Sequence, residues 1–597
     1  MTEKSTFARV VGADADRSRL RMRVLTKALL LIAATAACTS TLHALQKPHL
    51  LSRPLKHDAA AQLAPLRSSP ISRLRGGGAV GWASVTPPIV ALVASVALQQ
   101  VIVALLLGIY VGCLVLSGGA PVQALLRVFD TYLIRAFNAE GHAGVLLFTF
   151  LLGGTIGLVQ KAGGGLALAL LLQRYMKSAK SALLSAWALC GLIFFDDYSS
   201  VLIVGNSLRP ALAALGVAAE RFAVVVHTMG VTLASLAPVS SWVGLQIGYV
   251  ASLFDQLGLD GDPFVFTMRT LPYRFLPLFA TLMLPLFLVS GRDFGPLAAW
   301  PNPSPAAAAA ASIEADGGVD AGPLEPKPGT KLRAVNALLP FATIVAVTFG
   351  GMLADGASKL RAKDPAAALT LVAMLSESDS INGLIWASAS GWLVTMFMVV
   401  GQRILDLHEA MDAWMIGMKD VLEPTFVLLL AWALGDVIAQ CKTADFLAGI
   451  LNEGLPRWAL PALIAILSHV ISYACGSSFG TMGIILPLVG PVAMKVGGSD
   501  DKDYLLHCVA SVLGGSIFGN LCSPIADTSI LTVLATGCDL QAHIATVTPY
   551  ALLAAAVALF AGSIPVAAGL YGPLTALAVG TAVLGATVWL AGEPSPP

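Results

Sequence analysis

Charge is what this sequence has least of. Asp, Glu, Lys and Arg make up 12% of its 597 residues, where soluble proteins carry about 25%. A soluble chain of this length would bury a large core, but it would need a charged surface to stay in solution. That surface is missing. With 56% hydrophobic residues and a mean hydropathy of +0.78, the composition is that of a polytopic membrane protein. Cysteine is also sparse. The eight cysteines (38, 113, 190, 441, 475, 508, 522, 538) form no CxxC and no paired spacing. They read as small buried hydrophobes, which argues against a disulfide framework or a zinc site. No long basic patch with interleaved aromatics points to nucleic acid, and no nucleotide-binding loop points to ATP drive. What the chain does have is glycine (57) and proline (34), both better tolerated in membrane helices than in soluble ones.

Residues 1–78 read as a targeting presequence, outside the fold. Arg17, Arg19, Arg21, Arg23 and Lys27 precede an apolar run, Ala28–Ala37, too short to span a bilayer and suited to a signal-peptide core. A basic, Ser-containing segment with the single acid Asp58 then runs from Lys47 to Arg75, as in an organelle transit peptide. Signal followed by transit sequence predicts a plastid membrane, with the plasma membrane or an endomembrane as the alternative. Membrane repeats are expected over 84–292 and 333–562, with a Pro/Ala/Gly/Asp/Glu linker over 293–332 and a C-terminal membrane helix over 563–592. Several apolar stretches are too short to cross about 30 Å of hydrocarbon as straight helices. Their glycine interruptions suggest broken helices or re-entrant hairpins.

The chain repeats itself. FLLGGTIGLVQKAGGG at 150–165 resembles WALGDVIAQCKTADF at 432–446. ALLSAWALCGLIFFDDYSSVLIVGNSLRP, ending at Pro210, resembles ALIAILSHVISYACGSSFGTMGIILPLVGP, ending at Pro491. RTLPY, ending at Tyr273, resembles TVTPY, ending at Tyr550, and His227 pairs with His507. The order is kept and the offset stays near 280, so the two halves read as a duplication. Such halves are commonly inverted in transporters. Arg174, Lys177 and Lys180 in one loop, against Arg457 in its counterpart, agree with inversion under the positive-inside rule. The expected fold is all-α and polytopic: two inverted-topology repeats with broken helices and re-entrant hairpins, in roughly 10–13 membrane segments.

GLIFFDDYSSVLIVGN, residues 191–206, is the most informative stretch. Asp196 and Asp197 stand between apolar runs, where a charge is costly and by default functional. The structural alternative is a cap: Asp197 opening a helix at Tyr198, with Asp196 turned to water. Ser199, Ser200 and Asn206 add neutral ligands. The matching second-half stretch, Cys475–Gly483, has no acid but offers Ser477, Ser478, Thr481 and, where unwound, backbone carbonyls. One half then brings charge and the other neutral oxygens, a donor set for one small cation, although Gly and Ser there could equally serve close helix packing. GNLCSPIADTSILT, 519–532, adds Asp527, which also suits a helix start. Its first-half counterpart, LAPVSSWVGLQIG, holds Ser240, Ser241, Trp242 and Gln246. Asp436 is a further intramembrane carboxylate, placed near a helix end. Gly476–Gly480 matches G-x-S-x-G, but no strand alternation surrounds it, so a serine nucleophile is discounted.

FFDDY at 194–198, VGNSLRP at 204–210, WALG at 432–435, GSSFGTMGIILPL at 476–488 and GSIFGNLCSPIADTSIL at 515–531 together resemble the NhaC-type sodium/proton antiporters, across about Pro87 to Phe560. The resemblance implies the ion-transporter fold and sodium-linked exchange. The chain departs from that family pattern at His227, Gln246 and Asn520, where acids are usual.

The expected function is a Na+/H+ antiporter, not an enzyme and without a cofactor. Burial disfavours an ionised carboxylate and a bound cation restores it, so one group can hold either cargo in turn. Asp197 is the candidate Na+ ligand; Asp196 completes the coordination or tunes its neighbour. The partners expected are a small monovalent cation, a proton and the lipid bilayer, with a homo-oligomer left open. The rivals are a Na+- or H+-coupled carrier of a small organic acid or amino acid and, more remotely, a cation channel. Channels are usually symmetric oligomers around a pore, whereas an internal two-fold repeat favours a carrier.

Overall fold

The computed structural model describes residues 81–594 apart from 140, 174, 303–322, 366–368, 444–445, 447–455 and 498–500. The expected presequence lies outside the described residues, as does the middle of the expected linker. Apolar segments with so little charge can satisfy their backbone in a membrane only as helices or closed barrels, and here they are helices. In the first half these include α1 (Thr86–Leu98), α2 (Val101–Leu116), α3 (His142–Lys161), α4 (Gly164–Gln173), α5 (Ala179–Leu192), α6 (Asp197–Ala214), α7 (Ala219–Leu236), α8 (Ser241–Leu257), α9 (Pro263–Thr270) and α10 (Phe275–Ser290). Then come α11 (Val335–Lys363), α12 (Ser380–Gly401), α13 (Leu407–Asp420), α14 (Leu422–Gln440), α15 (Ala459–Cys475), α16 (Ser478–Gly497), α17 (Lys502–Gly515), α18 (Ile517–Cys522), α19 (Asp527–Thr536), α20 (Leu540–Val557) and α21 (Pro573–Ala591). The strands described are two short ones, β1 (Arg292–Asp293) and β2 (Glu593–Pro594), paired antiparallel.

Among the described residues, eight helices are long and apolar enough to cross a membrane, or up to ten if each bent pair is one span. The bent pairs are α7–α8, at 44°, and the α9–α10 segment, at 52°. The rest of the expected segments fall among shorter apolar helices of 10–17 residues, including α2, α5 and α15. The α17–α18 segment is buried along its whole apolar window; α17 packs on α15 and α16, and α18 on α7. Phe397, Phe560 and Leu590 stand exposed at the periphery, as lipid-facing residues should.

Four breaks between helices shape the interior. Between α5 and α6 the chain turns at Asp196, which is extended (φ −159°). Between α15 and α16 it turns at Gly476, left-handed at φ +69°, where a Cβ would come within 2.9 Å of the Ile525 side chain. Only glycine fits that turn comfortably. Between α18 and α19 it runs through Ser523, Pro524, Ile525 and Ala526. Between α1 and α2 it turns at Gln99. Contacts join the halves across the middle. The Tyr249 hydroxyl donates to the Phe479 carbonyl at 2.9 Å, and the Trp432 indole N–H donates to the Gly248 carbonyl at 3.0 Å.

Candidate ion-binding site

The breaks open onto one cavity of about 1070 Å³. The N-terminal ends of α6, α16 and α19 meet there. Unpaired N–H groups at a helix start favour negative charge, and Asp196 and Asp527 supply it. The wall carries six carboxylates: Asp196, Asp197, Asp420, Asp527, Glu325 and Glu423. Among the described residues, no Lys, Arg or His lines it.

Asp196 is the N-cap of α6. One of its oxygens accepts from the Ser199 amide at 2.8 Å and the Ser199 hydroxyl at 2.6 Å; the other accepts from the Ser241 hydroxyl at 2.7 Å. Gln160, on α3, in turn donates to Ser199. Asp197 is the first residue of the helix and faces the Trp242 indole. The alternative cap is thereby corrected: Asp196, not Asp197, caps the helix, and it points into the protein, 8% exposed against 4% for Asp197. The physical reason is the extended backbone at Asp196, which aims its carboxylate at the amide three residues on. Asn206 lies further along α6, exposed to the cavity.

From the second half, Ser477 and Ser478 reach the wall. The Ser478 hydroxyl donates to the Asn520 side-chain carbonyl at 2.5 Å, and the Ser478 amide donates to the same oxygen at 3.1 Å. Asn520 therefore closes the start of α16, while the Ser478 oxygen keeps lone pairs for a cation. Asp527 opens α19, accepts from the Thr528 amide at 2.7 Å, and takes the Tyr198 hydroxyl across the cavity. This last bond ties the two halves at the site.

Three of the expected ligands are not on the wall. Ser199 sits behind Asp196. The Ser200 hydroxyl is buried without a hydrogen bond. Thr481 turns back to the Ser477 carbonyl at 2.7 Å, within its own helix. Asp436 lies elsewhere, beside Arg135 at 3.7 Å and Gln440 at 2.8 Å. Gln246 accepts from the buried Arg274 guanidinium at 2.7 Å. Sequence reasoning missed Gln160, Tyr198, Asp420, Glu423 and Glu325. Tyr198 lies inside FFDDY, and Gln160 ends the glycine-rich repeat. Asp420 ends an amphipathic helix and carried no local signal. Glu325 belongs to the expected linker, of which Pro323 to Pro326 lines the cavity. Lys161 holds that stretch through the carbonyls of Pro323 (3.0 Å) and Glu325 (2.8 Å).

The model of the Na+/H+ antiporter family matches residues 233–563. The match takes in the Ser477–Thr481 break and Asp527 and begins after Asp196 and Asp197. An uncharacterized protein of Haemophilus influenzae is 25% identical over 472 residues, 78% of this chain and 88% of that protein. The Na(+)/H(+) antiporter NhaC of Alkalihalophilus pseudofirmus is 33% identical over 144 residues, 23% of this chain and 28% of that protein. Among solved structures, Neisseria gonorrhoeae MtrF, described within a class of antimetabolite efflux pumps, aligns over 79% of this chain and 87% of its own at 14% identity and a TM-score of 0.47. The Alcanivorax borkumensis YdaH transporter aligns over 79% and 90% at 16% identity and a TM-score of 0.41.

Proposed function

Because the chain belongs to the Na+/H+ antiporter family, we propose that it is a secondary antiporter whose cavity holds Na+ and H+ in turn. The observation that carries this reading is the charge of the wall, six carboxylates and no basic side chain among the described residues. Such a cavity attracts cations and repels anions. Deep in a membrane, a carboxylate is neutralised by a proton or by a metal cation, and each displaces the other. Asp197 is the main ligand, since Asp196 already accepts three protein donors. Ser477, Ser478, Asn206 and Asp527 complete the oxygen set. Asp420 and Glu423 concentrate cations around it. Two inverted halves, hinged at the breaks after α5 and α15, would carry the site from one face to the other.

The cavity volume favours a second reading. At about 1070 Å³ it stands just above the upper end of the range of small-molecule sites, about 300–1,000 Å³, so a coupled carrier of an organic substrate also fits. The wall charge restricts that substrate to one bearing an amino group and disfavours a simple organic acid. On the composition of residues 1–78, the membrane we propose is a plastid's; those residues fused to a fluorescent protein should label that organelle, and labelling of the plasma membrane would overturn the assignment.

The functional test is purified protein in liposomes with an internal pH dye. Challenged in turn with Na+, K+, Li+ and small carboxylates, it should move protons in response to Na+ and not to the carboxylates. Proton movement evoked by an amino acid or carboxylate, with none evoked by Na+, would return the chain to the organic-substrate reading.

A further inference from the structure

We propose that His227 and His543 form a proton-transfer pair that delivers protons to the carboxylate site by a route separate from the cavity. The inference rests on the reading of the cavity as the cation site. His227 lies on α7 and His543 on α20, and both are 0% exposed. His227 Nδ1 and His543 Nε2 are 2.7 Å apart, with ring centroids at 4.9 Å. The outer nitrogens, His227 Nε2 and His543 Nδ1, are buried without hydrogen bonds among the described residues. The titratable groups on their own helices and on those packed around them are Lys180 and Cys190 on α5, Asp197, Tyr198 and Arg209 on α6, Glu220 and Arg221 on α7, Tyr249 and Asp255 on α8, Cys522 on α18, Asp527 on α19 and Tyr550 on α20. None is hydrogen-bonded to either ring.

The proton count is set by the bridge. Two neutral imidazoles hold two protons on four nitrogens. One proton sits in the bridge and the other on an outer nitrogen, leaving the opposite outer nitrogen with a free lone pair. A proton that binds this lone pair makes the pair a monocation. The bridging proton then shifts to the other ring, and that ring's outer N–H releases its proton. Protons balance and nothing is oxidised or reduced. The bridge is left reversed, and the rings turn over before the next proton passes. A buried histidine with a single structural bond would need no second histidine; two in series, each with an open end, are what a relay requires.

The pair also lies in the right place. Gly230, one turn along α7 from His227, packs against the Asp197 carbonyl and the Ser200 side chain. The Asn520 carbonyl stands beside His227, while the Asn520 side chain lies on the cavity wall. The far end leads away from the cavity. Helices α6 and α19 run side by side in the same direction, because Tyr198 meets Asp527 at their starts and Gly537 packs on Arg209 toward their ends. The chain then turns at the exposed Asp539, whose side chain caps α20 through the Ala542 amide at 2.9 Å. His543 lies one turn into that helix. The two rings thus stand between the Asp197 turn and the protein surface at Asp539.

The test uses the full chain in liposomes with His227→Gln and His543→Gln made separately. Radiolabelled Na+ binding at alkaline pH reports the cavity, and Na+-driven proton flux reports the relay. Binding should stay within about twofold of wild type, while flux falls about tenfold or more, as for loss of a positioned proton carrier. Its dependence on pH should flatten. Wild-type flux and pH profile in both variants would overturn the proposal. Should either variant misfold, NMR of nitrogen-labelled histidines in the wild-type protein decides. Ring nitrogen shifts that change when Na+ is added support the relay, and shifts that ignore Na+ at every pH overturn it. Wild-type protein that binds no Na+ would instead sink the cavity reading.

Discussion

Asp196 and Asp197 are neighbours in sequence and differ in what they can still bind. Asp196 accepts from Ser199 twice and from Ser241, so most of its lone pairs are taken. Asp197→Asn keeps size and removes charge; it should abolish Na+-dependent proton flux in liposomes while the protein inserts normally. Asp196→Asn keeps a capping side chain and should cost no more than about 1 kcal/mol of stability, with residual exchange at a shifted pH optimum. Full exchange in Asp197→Asn would move the main ligand to Asp527 or Asp420. Ser478 and Thr481 separate in the same way. Ser478→Ala removes an oxygen from the wall and should weaken apparent Na+ affinity by about tenfold, the loss of one hydrogen-bond-strength contact to a charge. Thr481→Ala, whose hydroxyl is bonded within its own helix, should leave affinity unchanged; titrating Na+ against flux measures both. The paired acids were legible because a carboxylate among apolar residues is conspicuous. Asp420 was not, because α13 also carries Glu409, Asp412 and Lys419 and reads like any solvated helix.

The breaks between helices were legible as elements, since glycine, proline and Ser/Asp caps interrupt apolar runs at Asp196, Gly476 and Pro524. What holds the bent pairs in place was not. Arg274, 1% exposed, sits where α9 gives way to α10. Its Nε donates to the Thr270 hydroxyl at 2.9 Å, and one terminal nitrogen donates to the Ser235 carbonyl at 2.8 Å and to Gln246 at 2.7 Å. The other reaches the Thr267 carbonyl at 3.3 Å. Every acceptor is neutral, so the planar fork pins α7 and α8 to the α9–α10 bend by geometry. An ammonium cannot reproduce that fork. Arg274→Lys should therefore cost about 2–3 kcal/mol, read as a lower melting temperature in detergent; an unchanged melting temperature would refute the pin. A smaller effect belongs to the start of α17. The Tyr504 amide, with Arg457 beside it, holds the Asp501 carboxyl below its usual range. A depressed folded value means stability that is present above the unfolded value near 3.9 and lost as pH falls through the folded value. The group is solvated, so Asp501→Asn should cost less than about 1 kcal/mol at neutral pH. The difference should vanish in acid, as urea unfolding at two pH values would record.

At the scale of the whole molecule, matching motifs that recur in order at a nearly constant offset suggest a duplication. Which broken ends face each other was not legible, since Tyr198 and Asp527 meet across 329 residues of sequence and no local pattern encodes that distance. The consequence is one cavity whose carboxylates come from both halves and from Glu325 between them, and whose neutral oxygens include Asn206 and Ser241 on one side and Ser477 and Ser478 on the other. Cys475 offers a native probe of that arrangement. Among the described residues, it is the cysteine on the cavity wall; Cys113, Cys190, Cys441, Cys508 and Cys522 are buried off that wall, and Cys538, half-buried, is off it too. Cys475 shares the cavity wall with the six carboxylates. A cationic methanethiosulfonate should therefore modify Cys475 faster than an anionic one of the same size, by about tenfold or more, the scale at which a charged cleft concentrates its counter-ion. High salt should shrink the ratio by screening. Na+ in the site should slow the cationic reagent more than the same concentration of a bulky quaternary ammonium does, because only a small ion occupies the ligands. Cys475→Ser gives the background to subtract. Equal rates for the two reagents at alkaline pH without Na+, where protons no longer neutralise the wall, or a faster anionic one, would mean that the wall carries no net negative charge, and the cation reading of the cavity would fall.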